Sequence, residues 1–219
     1  MADEAWQAWI PRFDAWADTY DEDTRDPWFA YEDAWSFVER SLRAGLGGLA
    51  GRSVVDVGCG TGEFLRRLAD EGVLVMAVEP SAGMREVAAA KVPGARIMDG
   101  HLASIPLEDG AVDAAIATYV VSHLEPADQP EALRELLRVV AGTGPIVVVD
   151  VPTVEPDALP RVREVLAGAG RTEQADWFER GYGLAVPEWC AMLEDAGRRV
   201  RIESLGPLLI GVAGLPRPT

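Results

Sequence analysis

The sequence predicts an α/β domain built on a mostly parallel, doubly wound sheet. Three observations carry this expectation. Short apolar runs rich in Val, Ile and Ala recur between residues 53 and 151, helical stretches separate them, and a glycine-rich turn joins the first run to the first of those helices. Strands that read as unbroken apolar runs are covered on both faces, which is how parallel sheets are built.

The elements follow in order. Residues 1–45 hold five of the seven tryptophans and carry 11 acidic against 4 basic residues. Trp9, Phe13, Trp16 and Tyr20 share one helical spacing, and Trp28, Tyr31, Trp35 and Val38 share another, so two amphipathic helices are expected. These rings either pack on the sheet or form a lid over a site. Residues 52–151 form the core, with strands at Ser53–Val57, Val73–Val78, Ala95–Met98, Val112–Thr118 and Pro145–Val151. Helices are expected at Glu63–Glu71, Ala82–Lys91 and Gln129–Val140. Residues 152–186, opened by Pro152, Pro156 and Pro160, read as a cap insertion bearing Trp177, Phe178 and Tyr182. The segment 187–219 supplies a helix at Pro187–Ala196 and two strands, Val200–Ser204 and Leu208–Ala213. Gly206-Pro207 between those strands predicts an antiparallel hairpin.

Composition removes several functions. The 219 residues suit one domain. A net charge of −16 without a basic cluster argues against nucleic acid or an anionic membrane surface as partner. Lys91 is the only lysine, and no glycine precedes it, so a P-loop is excluded. Two cysteines and the absence of a leader or a long apolar run point to the cytoplasm. With two histidines and no Cys-x-x-Cys or His-Glu-x-x-His pattern, no metal site is expected. The acidic run from Asp21 to Asp26 is interrupted by Arg25 and reads as a solvated loop, not a calcium site.

The informative stretch is Val54-Val55-Asp56-Val57-Gly58-Cys59-Gly60-Thr61-Gly62-Glu63. It passes from a buried strand through glycines into a helix, the place where open α/β sheets bind ligands. Glu79 ends the next strand, where an acid can accept hydrogen bonds from both hydroxyls of a ribose. A dinucleotide fingerprint would place glycine at position 63; Glu63 stands there instead, and its carboxylate opposes a pyrophosphate at the helix N-terminus. Asp56 can face a cationic amino group. S-adenosylmethionine (SAM), which carries an adenosine, an amino acid and a sulfonium but no phosphate, fits better than NAD.

With these residues in view, the chain resembles the small-molecule class I SAM-dependent methyltransferases of the type 11/25-like group. Asp56-Val57-Gly58-Cys59-Gly60-Thr61-Gly62 resembles the family's first motif, and Val78-Glu79-Pro80-Ser81 through Met84 its second. Asp99-Gly100-His101-Leu102 and Thr118–Leu124 resemble its third block and fourth strand end. Phe13-Asp14-Ala15-Trp16-Ala17-Asp18-Thr19-Tyr20-Asp21 resembles its opening helix. The resemblance implies a Rossmann-like sheet of seven strands with a C-terminal antiparallel hairpin, and SAM as cofactor. Glu79 would hold the ribose, Met84 would cover the adenine, and Pro80, Gly100, Leu102 and Thr118 would belong to the cofactor site. The family's acid after the third-block glycine is replaced by His101, whose neutral imidazole nitrogen, or the backbone alone, would accept from the adenine amino group.

His123 lies where this fold faces the methyl group. It is either the general base or a strand-end residue packing under Leu124. Tyr119 and Tyr20 are the candidate orienting groups, and aromatic rings beside carboxylates favour a cationic or apolar acceptor. The expected activity is methyl transfer from SAM to a small-molecule O, N or C nucleophile. A non-catalytic SAM-binding sensor shares every cofactor motif, and an NAD(P)-dependent oxidoreductase is disfavoured by Glu63 and the lack of a Tyr-x-x-x-Lys pair. Oligomeric state is not set by the sequence.

Overall fold

The apolar runs do form strands, and the computed structural model describes them within residues 6–25, 29–152, 163–164, 167–168, 170, 182–206 and 208–218. Strands β1 (Ser53–Val57), β2 (Leu74–Val78), β3 (Arg96–Met98), β4 (Ala114–Thr118) and β5 (Ile146–Asp150) pair in parallel. β6 (Arg199–Ser204) and β7 (Ile210–Leu215) form the antiparallel hairpin, and β7 also runs antiparallel to β5. The order β3-β2-β1-β4-β5-β7-β6 gives the seven strands expected. From β1 the chain winds outward to β2 and β3, then returns to place β4 on β1's other side. The carboxyl ends of β1 and β4 therefore flank the switch point, where such sheets leave a crevice.

Alternation along β1 divides the core. Val55 and Val57 pack with α6 (Gln129–Val139) and α7 (Val186–Asp195) through Leu133, Leu136, Trp189 and Leu193. Val54 faces the opposite layer, with α3 (Tyr31–Leu46) and α4 (Glu63–Asp70) contributing Phe37, Leu42, Phe64 and Leu68. α5 (Ala82–Lys91) covers the β2–β3 side. Each fully buried Phe or Leu contributes about 1.5–3 kcal/mol from apolar burial.

α3 buries Ala34, Phe37, Val38 and Leu42 and ends at Gly47, whose left-handed φ of 72° lets its N–H reach the Arg43 carbonyl. Gly211 in β7 permits the close approach, because a Cβ there would lie 2.5 Å from the Phe37 ring. The expected lid of residues 1–45 thus divides: α3 is a layer of the core with Tyr31 at its start reaching the crevice, and among the described residues before it Trp6, Trp9, Ile10, Phe13 and Tyr20 border that crevice. The first expected helix is also broken, into a 3-10 turn at Trp6–Trp9, α1 (Ile10–Trp16) and α2 (Tyr20–Asp23). Asp23 accepts from the Trp16 indole and the Thr19 hydroxyl, which folds α2 back on α1. α1 docks on α5 so closely that a Cβ at Gly83 would meet the Asp14 carbonyl at 3.1 Å. Trp28, Trp177 and Phe178, with most of the expected cap, lie outside the described residues.

Candidate active site

A cavity opens at the switch point, with about 930 Å³ of space between protein atoms when its mouth is included. Its floor is the turn after β1. Gly58 (φ 75°) and Gly60 (φ 53°) take left-handed conformations that L side chains rarely adopt. A Cβ on Gly58 would also strike Val120 at 2.5 Å, whereas Gly60 faces open space.

Glu79 at the end of β2 faces this turn. Its carboxylate accepts from the Gly60 N–H at 3.0 Å and the Ser81 N–H at 2.9 Å, joining the two cofactor loops. Glu79 is 6% exposed. Burial pushes its carboxyl up, and the two backbone hydrogen bonds pull against that shift.

The structure brings together most of the expected residues. Gly58, Gly60, Glu79, Pro80, Met84, His101, Leu102 and Thr118 line the cavity, as do Tyr20, Tyr119 and His123. Three expected cofactor residues do not. Asp56 is 1% exposed and lies beneath the floor; one carboxyl oxygen has no partner, and burial followed by the Glu79 charge pushes it up to about 8. Gly62 caps α4 at φ 83° and packs on Ala88, and Gly100 packs on Pro106 and Val78. Both glycines are closely packed. Tyr182 also lies off the cavity, its hydroxyl 3.3 Å from Glu125.

The two histidines are held by their neighbours. His101 Nδ1 accepts from the Ala103 N–H at 3.3 Å, so a neutral ring carries its proton on Nε2. The ring stacks on Trp6, with centroids 4.2 Å apart. His123 ends a 3-10 turn after β4 and sits against Trp9 and Phe13, at centroid distances of 4.6 and 5.3 Å. Burial pushes it down to about 4, only partly offset by its hydrogen bond to the Tyr119 backbone. It stays neutral through the physiological range, as the packing alternative has it rather than the general-base one. Its Nδ1 is buried without a partner.

The tyrosines are neutral phenols. Burial raises Tyr20, Tyr31 and Tyr119, and Tyr20 and Tyr31 bond to each other. The Tyr119 hydroxyl donates to the Phe29 carbonyl, so this residue ties down the approach to α3. Its φ of 58° turns the chain sharply after β4.

Composition and spacing did not single out two carboxylates that fasten the N-terminal segment over the cavity. Asp14 accepts from the Ser81 hydroxyl at 2.6 Å and the Gly83 N–H at 3.0 Å. Asp21 accepts from the Thr61 hydroxyl and from Lys91. Asp21 is therefore a clasp residue, while Glu22 and Asp23 of the acidic run are exposed and Asp26 lies outside the described residues. The clasp's signal was present: Asp14 and Asp21 are the two aspartates of the Phe-Asp…Tyr-Asp stretch, and Lys91 is the chain's only lysine.

Glu63 lines the cavity at the start of α4. Burial opposes its ionisation, but hydrogen bonds from Arg66 (2.9 Å) and Arg67 (3.0 Å) outweigh it and hold the carboxyl below its usual range. No Lys or Arg is found among the described lining residues. Such a wall accommodates a cationic sulfonium and ammonium and gives a pyrophosphate nothing to pair with.

Comparison with known proteins agrees with this geometry. Residues 55–148 match the model of a methyltransferase domain. An uncharacterized methyltransferase of Geobacillus thermodenitrificans is 32% identical over 186 residues, covering 84% of this chain and 86% of the relative. One from Geobacillus kaustophilus is 32% identical over 171 residues, covering 78% and 79%. Among solved structures, a SAM-dependent methyltransferase of Thermotoga maritima, described as a possible histamine N-methyltransferase, superposes with a TM-score of 0.68 at 21% identity. The match covers 94% of this chain and 98% of that one. The magnesium protoporphyrin IX methyltransferase of Synechocystis, solved with bound SAM, gives 0.62 at 20% identity over 86% and 80%. On this evidence of sequence, sheet order and site, the chain belongs to the class I SAM-dependent methyltransferases.

Proposed function

We propose that the protein transfers the methyl group of SAM to a small-molecule acceptor and releases S-adenosylhomocysteine. The observation that carries this reading is the Glu79 carboxylate, held by Gly60 and Ser81 on the wall of a switch-point cavity lined by no described Lys or Arg. When bound, SAM supplies an electrophilic methyl carbon on a sulfonium. The chain's task is then to bind, orient and keep out water, and positioning alone can supply several kcal/mol of the barrier.

In this assignment Glu79 accepts from the ribose hydroxyls, and Met84 and Leu102 flank the adenine. The backbone at Gly58 and Gly60 receives the amino-acid end, while Thr118 and His123 border the methyl group. Asp14 and Asp21 hold α1 and α2 as the roof. No helix among the described residues is long and apolar enough to cross a membrane, and both cysteines are free, which supports action in a reducing compartment.

The test is turnover with methyl-labelled SAM and a panel of small acceptors. Acceptor-dependent formation of S-adenosylhomocysteine with label in the acceptor is expected. Tight SAM binding with no turnover on any acceptor would favour the sensor reading.

A further inference from the structure

Among the described residues that line the cavity, two carry carboxylates, Glu63 and Glu79. Glu79 is bonded to the glycine turn at Gly60, and Glu63 follows Gly62 as the first residue of α4. Their oxygens are used differently. Both Glu79 oxygens accept backbone bonds, Oε2 from Gly60 and Oε1 from Ser81. On Glu63 one oxygen, Oε1, accepts from both Arg66 at 2.9 Å and Arg67 at 3.0 Å. Its Oε2 takes no hydrogen bond among the described residues and is not sealed away, the side chain being 32% exposed.

The surroundings keep this carboxylate charged and in place. Burial opposes its ionisation, but the bonds from Arg66 and Arg67 outweigh it and hold the carboxyl below its usual range. Arg67 is itself fixed by a two-pronged bond to Glu32 of α3, at 3.0 and 2.5 Å. Asp56 offers a cation much less: it is 1% exposed beneath the floor, and burial followed by the Glu79 charge pushes it up to about 8, so it holds its proton at pH 7. Glu63 Oε2 is therefore an accessible, ionised acceptor on the cavity wall that no protein group satisfies.

Resting on the methyltransferase reading above, we propose that Glu63, rather than Asp56, is the residue that selects the amino-acid end of the cofactor, its Oε2 accepting from the α-ammonium of SAM and S-adenosylhomocysteine. Glu79 takes the ribose hydroxyls at one end of the glycine turn and Glu63 the ammonium at the other. The two carboxylates thereby fix the direction in which the cofactor lies across the turn. The bond is charge-assisted at both ends, which makes it stronger than a neutral one and makes it discriminate. A ligand with hydrogen in place of the ammonium leaves Oε2 unpaired, and one with a phosphate there meets repulsion. An acid in the first turn with partners at i+3 and i+4 also steadies its own helix. That structural effect does not depend on which ligand is bound, so a ligand series separates the two roles.

The experiment is calorimetric titration at pH 7 with three ligands: S-adenosylhomocysteine, its analogue with hydrogen in place of the α-amino group, and 5′-methylthioadenosine, which lacks the amino acid altogether. Each is titrated into the wild type, Glu63→Gln and Glu63→Asp. The wild type should bind S-adenosylhomocysteine roughly tenfold more tightly than the deamino analogue. Glu63→Gln, which keeps an oxygen for Arg66 and Arg67, should weaken S-adenosylhomocysteine roughly tenfold and leave the other two ligands unchanged. Glu63→Asp keeps the charge and should recover part of the loss. Equal wild-type affinity for S-adenosylhomocysteine and its deamino analogue overturns the assignment of Glu63 without recourse to a variant. So does a Glu63→Gln protein in which S-adenosylhomocysteine affinity is unchanged, or in which S-adenosylhomocysteine and the deamino analogue weaken alike. Binding of none of the three ligands to the wild type overturns the methyltransferase reading itself.

Discussion

Replacing Glu79 perturbs the cofactor site at the point where two loops converge. In Glu79→Gln the side chain keeps its length but loses its charge. Its amide NH2 must face either the Gly60 or the Ser81 N–H, donors now at 3.0 and 2.9 Å from the carboxylate oxygens. Two ribose hydroxyls would lose charge-assisted bonds, which weakens binding by about 1–3 kcal/mol, or roughly 5- to 150-fold in Kd. Glu79→Ala deletes both acceptors, leaves the two N–H groups unsatisfied, and should weaken binding at least as much. The assay is calorimetric titration with S-adenosylhomocysteine, accompanied by thermal melts that separate misfolding from lost contacts. If Kd stays within a factor of two in both variants while the fold is intact, Glu79 does not hold the ribose, and the cavity assignment is wrong.

Other outcomes follow from the same geometry. Gly211→Ala places a Cβ 2.5 Å from the Phe37 ring and should cost about 1–3 kcal/mol, read as a lowered Tm; an unchanged Tm would mean that α3 is not locked to β7. Asp14→Ala removes the Ser81 and Gly83 contacts of an exposed carboxylate. It should destabilise the fold by less than about 1 kcal/mol while speeding cofactor release in stopped-flow displacement; an unchanged release rate would deny the roof its role. Asp56 is raised from 3.8 to about 8, so the folded state binds the extra proton and this stabilisation is lost as pH rises from about 4 to 8. Asp56→Asn, neutral at every pH, should therefore raise Tm relative to wild type more at pH 8.5 than at pH 5; a pH-independent difference would contradict it. His123 runs the other way: it is lowered from 6.5 to about 4, so its contribution is complete above pH 6.5 and is lost as pH falls towards 4. The loss is about 3 kcal/mol, and His123→Phe should flatten that acid limb in melts between pH 4 and 7.

The parts of the molecule governed by local pattern were legible in the sequence. β1 and α5 occupy the expected residues, and β2, β4, α4 and α6 differ only by a residue or two at their ends, because buried apolar runs and the glycine turn leave few alternatives. Glu79, Gly58 and Gly60 fall on the cavity for the same reason: strand and turn dictate where they point. Residues whose role depends on tertiary partners were less legible. Position in the chain does not show that α3 covers the sheet while α1 covers the cavity, since Trp9 and Trp35 have similar helical spacing. Nor does it show that Ala103 occupies His101 Nδ1, or that Trp9 and Phe13 desolvate His123. Those are through-space facts that local pattern does not carry.

The most direct test of the central claim is calorimetric titration of the purified chain with SAM, S-adenosylhomocysteine and NADH. Saturable binding of SAM and S-adenosylhomocysteine with no response to NADH is the predicted result. Tight NADH binding with no response to either sulfur compound would contradict the account.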